Sequence, residues 1–95
     1  MSTPPLFVLI EWEDSHTIEG WHHLDGPLDD TPVTCRSVGW LVLDGAKVKT
    51  VAPHMSVPSE GETPQACGIM RIPVRSIVRM VVLRRPAIDD SPEEA

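Results

Sequence analysis

Ten prolines punctuate the 95 residues, at positions 4, 5, 27, 32, 53, 58, 64, 73, 86 and 92. Each removes a backbone donor and clashes with the preceding helical turn, so long helices are not expected. The chain must instead hide its oily residues with short strands and the turns between them.

The first such segment is Leu6-Phe7-Val8-Leu9-Ile10-Glu11-Trp12. Its later part alternates: Val8, Ile10 and Trp12 share one face, and Leu9, Glu11 and Glu13 the other, as in a strand. Asp14 to Val33 follows with two glycines and two prolines and no surviving period. It reads as a long loop, anchored by Ile18, Trp21, Leu24 and Leu28; loops of this length inside a small domain often carry function.

Thr34 to Leu43 reads as the second strand and Ala46 to Ala52 as the third. Between them Asp44-Gly45 suits the paired positive-φ residues of a type I′ hairpin turn. A two-residue turn sets the register: Leu43 faces Ala46, Leu41 faces Val48 and Gly39 faces Thr50. On the opposite side it sets Trp40 against Lys49, which allows a cation–π contact. Pro53 to Ala66 has three prolines, two serines, two glutamates and a glycine, the composition of an exposed, mobile loop. Gly68 to Ile72 reads as the fourth strand and Pro73-Val74-Arg75-Ser76 as a single 3₁₀ turn. Ile77 to Leu83 is the fifth strand, with Val78, Met80 and Val82 on one face and Ile77, Arg79, Val81 and Leu83 on the other. Residues 86–95 read as an acidic flexible tail.

A chain of 10.5 kDa is one domain, here residues 1–85, and it hides only roughly 60–65% of its unfolded surface. Five short strands in so small a chain cannot bury a face as a flat sheet. The expected fold is all-β, a five-stranded, strongly bent small barrel of Sm-like type with no long helix. A thin core and unpaired edges make a homo-oligomer the expected state.

Charge is segregated. Residues 1–35 carry a net −7 with no Lys or Arg, residues 36–85 carry +5, and residues 86–95 carry −4. The overall −6 opposes binding to long nucleic acids. A small anion needs only two or three arginines, whose planar forks suit phosphate or carboxylate. Arg71, Arg75 and Arg79 cluster near the last two strands, and Arg36 lies on the second. They read either as an anion pocket or as partners of acidic residues such as Glu11 and Glu13.

Trp12, Trp21, Trp40 and Phe7 are the only aromatics. Trp12 belongs with the core face. Trp40, on the more polar side of its strand, and Trp21, next to His22 and His23 in the long loop, are candidates for stacking a base or a partner's side chain. The expected ligand-binding set is therefore Trp21, His22, His23, Trp40, Arg36, Arg71, Arg75 and Arg79.

Cys35 and Cys67 have no paired spacing, which argues against a disulfide framework or a zinc knuckle. They are expected as small buried hydrophobes in a reducing compartment. His16, His22, His23 and His54 lack metal-ligand spacing, and adjacent His22 and His23 point opposite ways in extended chain. No metal or other cofactor is expected. No apolar run reaches the ~18–20 residues of a membrane span, and residues 1–5 have no basic residue, so neither a membrane anchor nor a signal peptide is expected. Nucleophile elbows, phosphate loops, zinc-protease motifs and redox cysteine pairs are all missing, so an enzyme is not expected.

Two resemblances add to this reading. Ile69-Met70-Arg71-Ile72-Pro73-Val74-Arg75-Ser76-Ile77-Val78-Arg79 resembles the last two strands of Sm-like (Hfq-type) small barrels, where a short strand, a tight turn and a final strand close the barrel and build a ring interface. The first-half motif and N-terminal helix of that family are missing, so its RNA binding does not carry over. More broadly, residues 6–83 resemble small phage and prophage proteins of unknown function. That likeness rests on Val8-Leu9-Ile10-Glu11-Trp12-Glu13-Asp14, Gly20-Trp21, Cys35-Arg36-Ser37-Val38-Gly39-Trp40-Leu41-Val42 and Gly68-Ile69-Met70-Arg71-Ile72-Pro73. It implies a viral protein of the bacterial host cytoplasm that acts by binding, for example as an anti-defence sponge for cyclic nucleotide signals in immune evasion. The alternatives are an interaction module docking on a host or phage protein through its acidic termini, and an Sm-like RNA binder.

Overall fold

The computed structural model describes residues 5–84. The 86–95 tail lies outside the described residues. Strands dominate: β1 (Phe7–Asp14), β2 (Val33–Asp44), β3 (Val48–Ala52), β4 (His54–Met55), β5 (Ala66–Cys67), β6 (Met70–Pro73) and β7 (Ile77–Leu83). The one helical element among the described residues is the 3₁₀ turn Val74–Ser76, with Pro73 as its N-cap. That turn and the bounds of β7 agree with the sequence reading. Five strands form one antiparallel sheet in the order β6-β3-β2-β1-β7, and β4 and β5 form a separate two-stranded ribbon.

The topology forces the sheet to curl. β6 and β7 lie at opposite edges, yet only residues 74–76 separate them in sequence. In a flat sheet four inter-strand spacings would part these edges by roughly 19 Å. Four residue steps reach at most ~14 Å even fully extended, and a 3₁₀ turn is more compact than that. A contact across the hollow side agrees. The Ser37 hydroxyl on β2 donates to Met70 Sδ on β6 at 3.8 Å, although β3 lies between the two strands in the sheet. The hydroxyl oxygen accepts the Trp12 indole N–H at 3.0 Å. No β6–β7 ladder closes the curl among the described residues.

Inside the curl lie Val8, Ile10, Leu41, Val51 and Ile72, with Trp12, Ile77 and Met80 packed against them. Trp12 thus joins the core face, as its alternation predicts. β-bulges account for the departures from simple alternation. On β7 the register with β1 shifts after Glu11, so that Arg79 faces Glu11 while Ile77 faces Trp12, and Val78 is the unpaired extra residue. The shift brings Ile77 onto the core side together with Met80, correcting the expected split of that strand.

The β2–β3 hairpin also differs from expectation. Its pairs are Asp44 with Lys49, Leu43 with Thr50, Leu41 with Val51 and Trp40 with Ala52, with Val42 bulged. Positive φ occurs only at Gly20, Gly61 and Gly68 among the described residues, so Asp44-Gly45 does not make a type I′ turn. A wider connection forms, in which the Gly45 N–H donates to the Val48 carbonyl at 3.0 Å. Lys49 pairs with Asp44, and the expected Trp40–Lys49 contact does not form.

Residues 53–66 are not a free loop. After Pro53 breaks β3, the chain continues as the β4–β5 ribbon. Its tip is pinned by Ser56 N–H to the Gln65 carbonyl, Gln65 N–H to Ser56 Oγ, and Ser59 N–H to the Glu62 carboxylate. Local side-chain acceptors supply the order that composition hides. Residues 15–32 form no helix or strand, and all are exposed. The expected anchors of that loop do not anchor: Ile18, Trp21, Leu24 and Leu28 face solvent.

Candidate functional site

On the sheet face opposite Val8 and Ile10, the registers of β1, β2 and β7 align three rows of side chains. The first is Arg36–Glu11–Arg79, the second Val38–Leu9–Val81, and the third Trp40–Phe7–Leu83. The rows follow from strand alternation, which puts every second residue of each strand on this face.

The first row is an ion triad. Arg36 Nε–H donates to Glu11 Oε2 at 2.9 Å, and Arg79 Nε–H donates to Oε1 at 3.2 Å. Each oxygen of the carboxylate is thereby held by a different neighbouring strand. Glu11 is largely covered, its side chain 13% exposed, while those of Arg36 and Arg79 are 66% and 60% exposed. The hydrogen bond from Arg36, helped by the positive charge of Arg79, holds the Glu11 carboxyl below its ordinary range. One carboxylate for two guanidiniums leaves the row with a net positive charge. The contacts to Glu11 run through Nε, so each guanidinium keeps its terminal nitrogens for an incoming anion.

The other two rows are apolar. Val38 and Val81 are exposed, and the rings of Phe7 and Trp40 meet at 5.2 Å with their planes inclined by 56°. Trp40 and Arg36 are four residues apart on one strand, roughly 14 Å at the usual rise. This face can accept a flat group against the aromatic row and a negative group at the arginines.

The structure therefore brings Arg36, Arg79 and Trp40 onto one face and leaves the rest of the expected set elsewhere. Arg71 lies on the edge strand β6 opposite Thr50, and Arg75 is in the 3₁₀ turn. Trp21, His22 and His23 stand in the 15–32 loop, with the His22 ring bonded to the Glu19 carbonyl at 2.9 Å. The sequence reading weighed Arg36 and Arg79 as partners of Glu11, and the register makes them so. It missed Phe7, Leu9, Val38, Val81 and Leu83 as members of the face, because row membership depends on which strands are neighbours.

Cys35 is half-buried and Cys67 exposed, which corrects their expected burial; both are free thiols. No group of three or more potential metal ligands occurs among the described residues, and no helix there is long and apolar enough to cross a membrane. Comparison with family models, curated proteins and solved structures returns no match.

Proposed function

We propose that this chain is a non-enzymatic binding protein that works as a homo-oligomer and captures a small anionic ligand. In this reading Arg36 and Arg79 hold the anion beside Glu11, and Trp40 with Phe7 stacks the ligand's flat part. The observation that carries it is the Arg36–Glu11–Arg79 row, two exposed guanidiniums sharing one covered carboxylate, with two apolar rows on one side of it and the exposed Glu13–Thr34 pair on the other. Bidentate guanidinium contacts and base stacking both favour a nucleotide.

The edges support self-association. β6 and β7 end the five-stranded sheet, and unpaired edges invite pairing with another chain. Ile69, Met70, Val78, Val81 and Val82, on or beside those edges, are exposed. A curled sheet joined through them is the arrangement that the Sm-like resemblance implies. It would gather Arg71, Arg75 and Arg79 near one seam. The phage resemblance makes a host immune nucleotide the expected ligand, captured in the bacterial cytoplasm.

Isothermal titration of the full chain with cyclic dinucleotides and cyclic ADP-ribose isomers tests the reading. Saturable heat that disappears in the Arg36→Gln/Arg79→Gln variant is the expected result. Absence of heat with every one of these ligands overturns it. Native mass spectrometry of the same material reads the stoichiometry.

A second reading is favoured by the exposed acidic segment. Glu13, Asp14, Glu19, Asp25, Asp29 and Asp30 are all exposed, with no Lys or Arg before Arg36. Such a surface suits docking on a basic host or phage protein, in a salt-sensitive way.

A further inference from the structure

The least satisfied part of the molecule is the 15–32 loop. Trp21 has no cover at all, at 103% relative exposure, and Leu24, Leu28 and Ile18 are 80%, 60% and 54% exposed. An exposed aromatic anchor with aliphatic neighbours marks a surface that another molecule covers. Glu19 and Asp25 lie among these four residues and Asp29 and Asp30 directly follow them, with no Lys or Arg in the segment. The loop is thus an acidic arm with an oily tip.

A complementary surface lies at the end of the sheet. Ala46, Lys47, Pro73, Val74 and Arg75 line an open groove of about 640 Å³. Its shape is fixed by backbone, because the Val74 N–H donates to the Lys47 carbonyl at 2.9 Å and ties the 3₁₀ turn to the β2–β3 hairpin. Ala46, Pro73 and Val74 make its walls apolar, while Lys47 and Arg75 add two exposed cations for which no ion pair forms among the described residues. Like-charged copies, each at −6, repel unless an acidic part of one meets a basic part of the other.

We propose that the Ile18–Leu28 arm of one copy docks in the Ala46/Lys47/Pro73/Val74/Arg75 groove of a second copy. Trp21 packs on Pro73 and Val74 with Arg75 against its ring, and Glu19 and Asp25 face Lys47 and Arg75. A guanidinium over an indole face in a partly dried groove strengthens such a contact. The arm adopts its bound shape on docking, since it carries no regular structure in the single chain. The proposal shares with the functional reading above the need for a second copy, and Pro73 and Arg75 lie at or beside the seam of that reading; the arm and the hairpin side of the groove belong to this proposal alone.

The test is disulfide trapping between two full-length preparations in a Cys35→Ser/Cys67→Ser background. One carries His23→Cys, which keeps Trp21, and the other Ala46→Cys. Mild oxidation of the mixture is expected to give a mixed cross-linked dimer, identified by mass. Lys47→Glu/Arg75→Glu in the second preparation should cut the yield at least tenfold, and Glu19→Lys/Asp25→Lys in the first should restore it. Absence of a mixed dimer overturns the proposal. A His23→Cys/Ala46→Cys chain that cross-links only within itself also overturns it, by showing that the arm covers its own groove. An oligomer that binds nucleotide without any arm cross-link removes this proposal and leaves the functional reading standing.

Discussion

Gly39 on β2 lies directly against the backbone of Ala52. A Cβ built at Gly39 would sit 2.7 Å from the Ala52 carbonyl oxygen, and Gly39 is itself buried. The obstacle is main chain, so no side chain can swing aside to relieve it. Gly39→Ala should therefore push β2 and β3 apart where the sheet bends. A loss of about 1–3 kcal/mol is expected from such overpacking, measured as a lower urea midpoint at unchanged slope.

Thr50 presents the opposite case. It is 6% exposed, and its hydroxyl oxygen has no hydrogen-bond partner among the described residues. A buried hydroxyl left without a partner costs about 1–3 kcal/mol. Thr50→Val keeps the shape and the β-branch, so the variant should be more stable than the parent. A raised melting temperature checks this, and a lowered one would show that the hydroxyl contributes to the fold.

Glu11 makes the fold sensitive to acid. Its carboxyl titrates below the ordinary value because the bonded arginines favour the charged form. A depressed folded-state pKa means that the contribution is fully present above the unfolded-state value and is lost as pH falls through the folded one. Glu11→Gln should flatten the acid limb of the stability profile, because it removes the charge that both arginines pair with while leaving one amide oxygen to accept. Side-chain NMR titration should place the Glu11 midpoint below those of ordinary glutamates.

Core and surface substitutions should separate cleanly. Ile72→Ala removes a side chain 1% exposed in a cluster of five buried residues, and a loss of about 2–5 kcal/mol is expected. In a domain with so few buried side chains this approaches the whole margin of stability. Val57→Ala, at a residue 95% exposed, should change the unfolding free energy by no more than about 0.5 kcal/mol.

Much of the local structure was readable from residue order. Alternation in Val8-Leu9-Ile10-Glu11 and the Pro73 start of the 3₁₀ turn point directly to what is observed. The features that escaped depend on which segments become neighbours. Asp44-Gly45 signals a tight hairpin, yet the register of β3 is governed by Val51 and Ile72 reaching the core, and a bulge at Val42 absorbs the mismatch. The order in residues 53–66 comes from Ser56, Ser59 and Glu62 bonding to nearby backbone, which composition alone masks. The same limit applies to the site. Arg36 and Arg79 were visible as candidates, but their joint hold on Glu11 and the apolar rows beside it exist only once β2 and β7 flank β1.

That flanking has a consequence for how the protein is made. Of these strands β1 is made before the others, and it finds one partner in β2 and the other only in β7, where residue 7 meets residue 83. Synthesis must reach β7, some seventy residues on, before the second flank can pair, and contacts so distant in sequence slow folding. Until then the nascent chain displays an unpaired ribbon rich in aliphatic residues, and it is in this interval that a chaperone or a premature neighbour would find it.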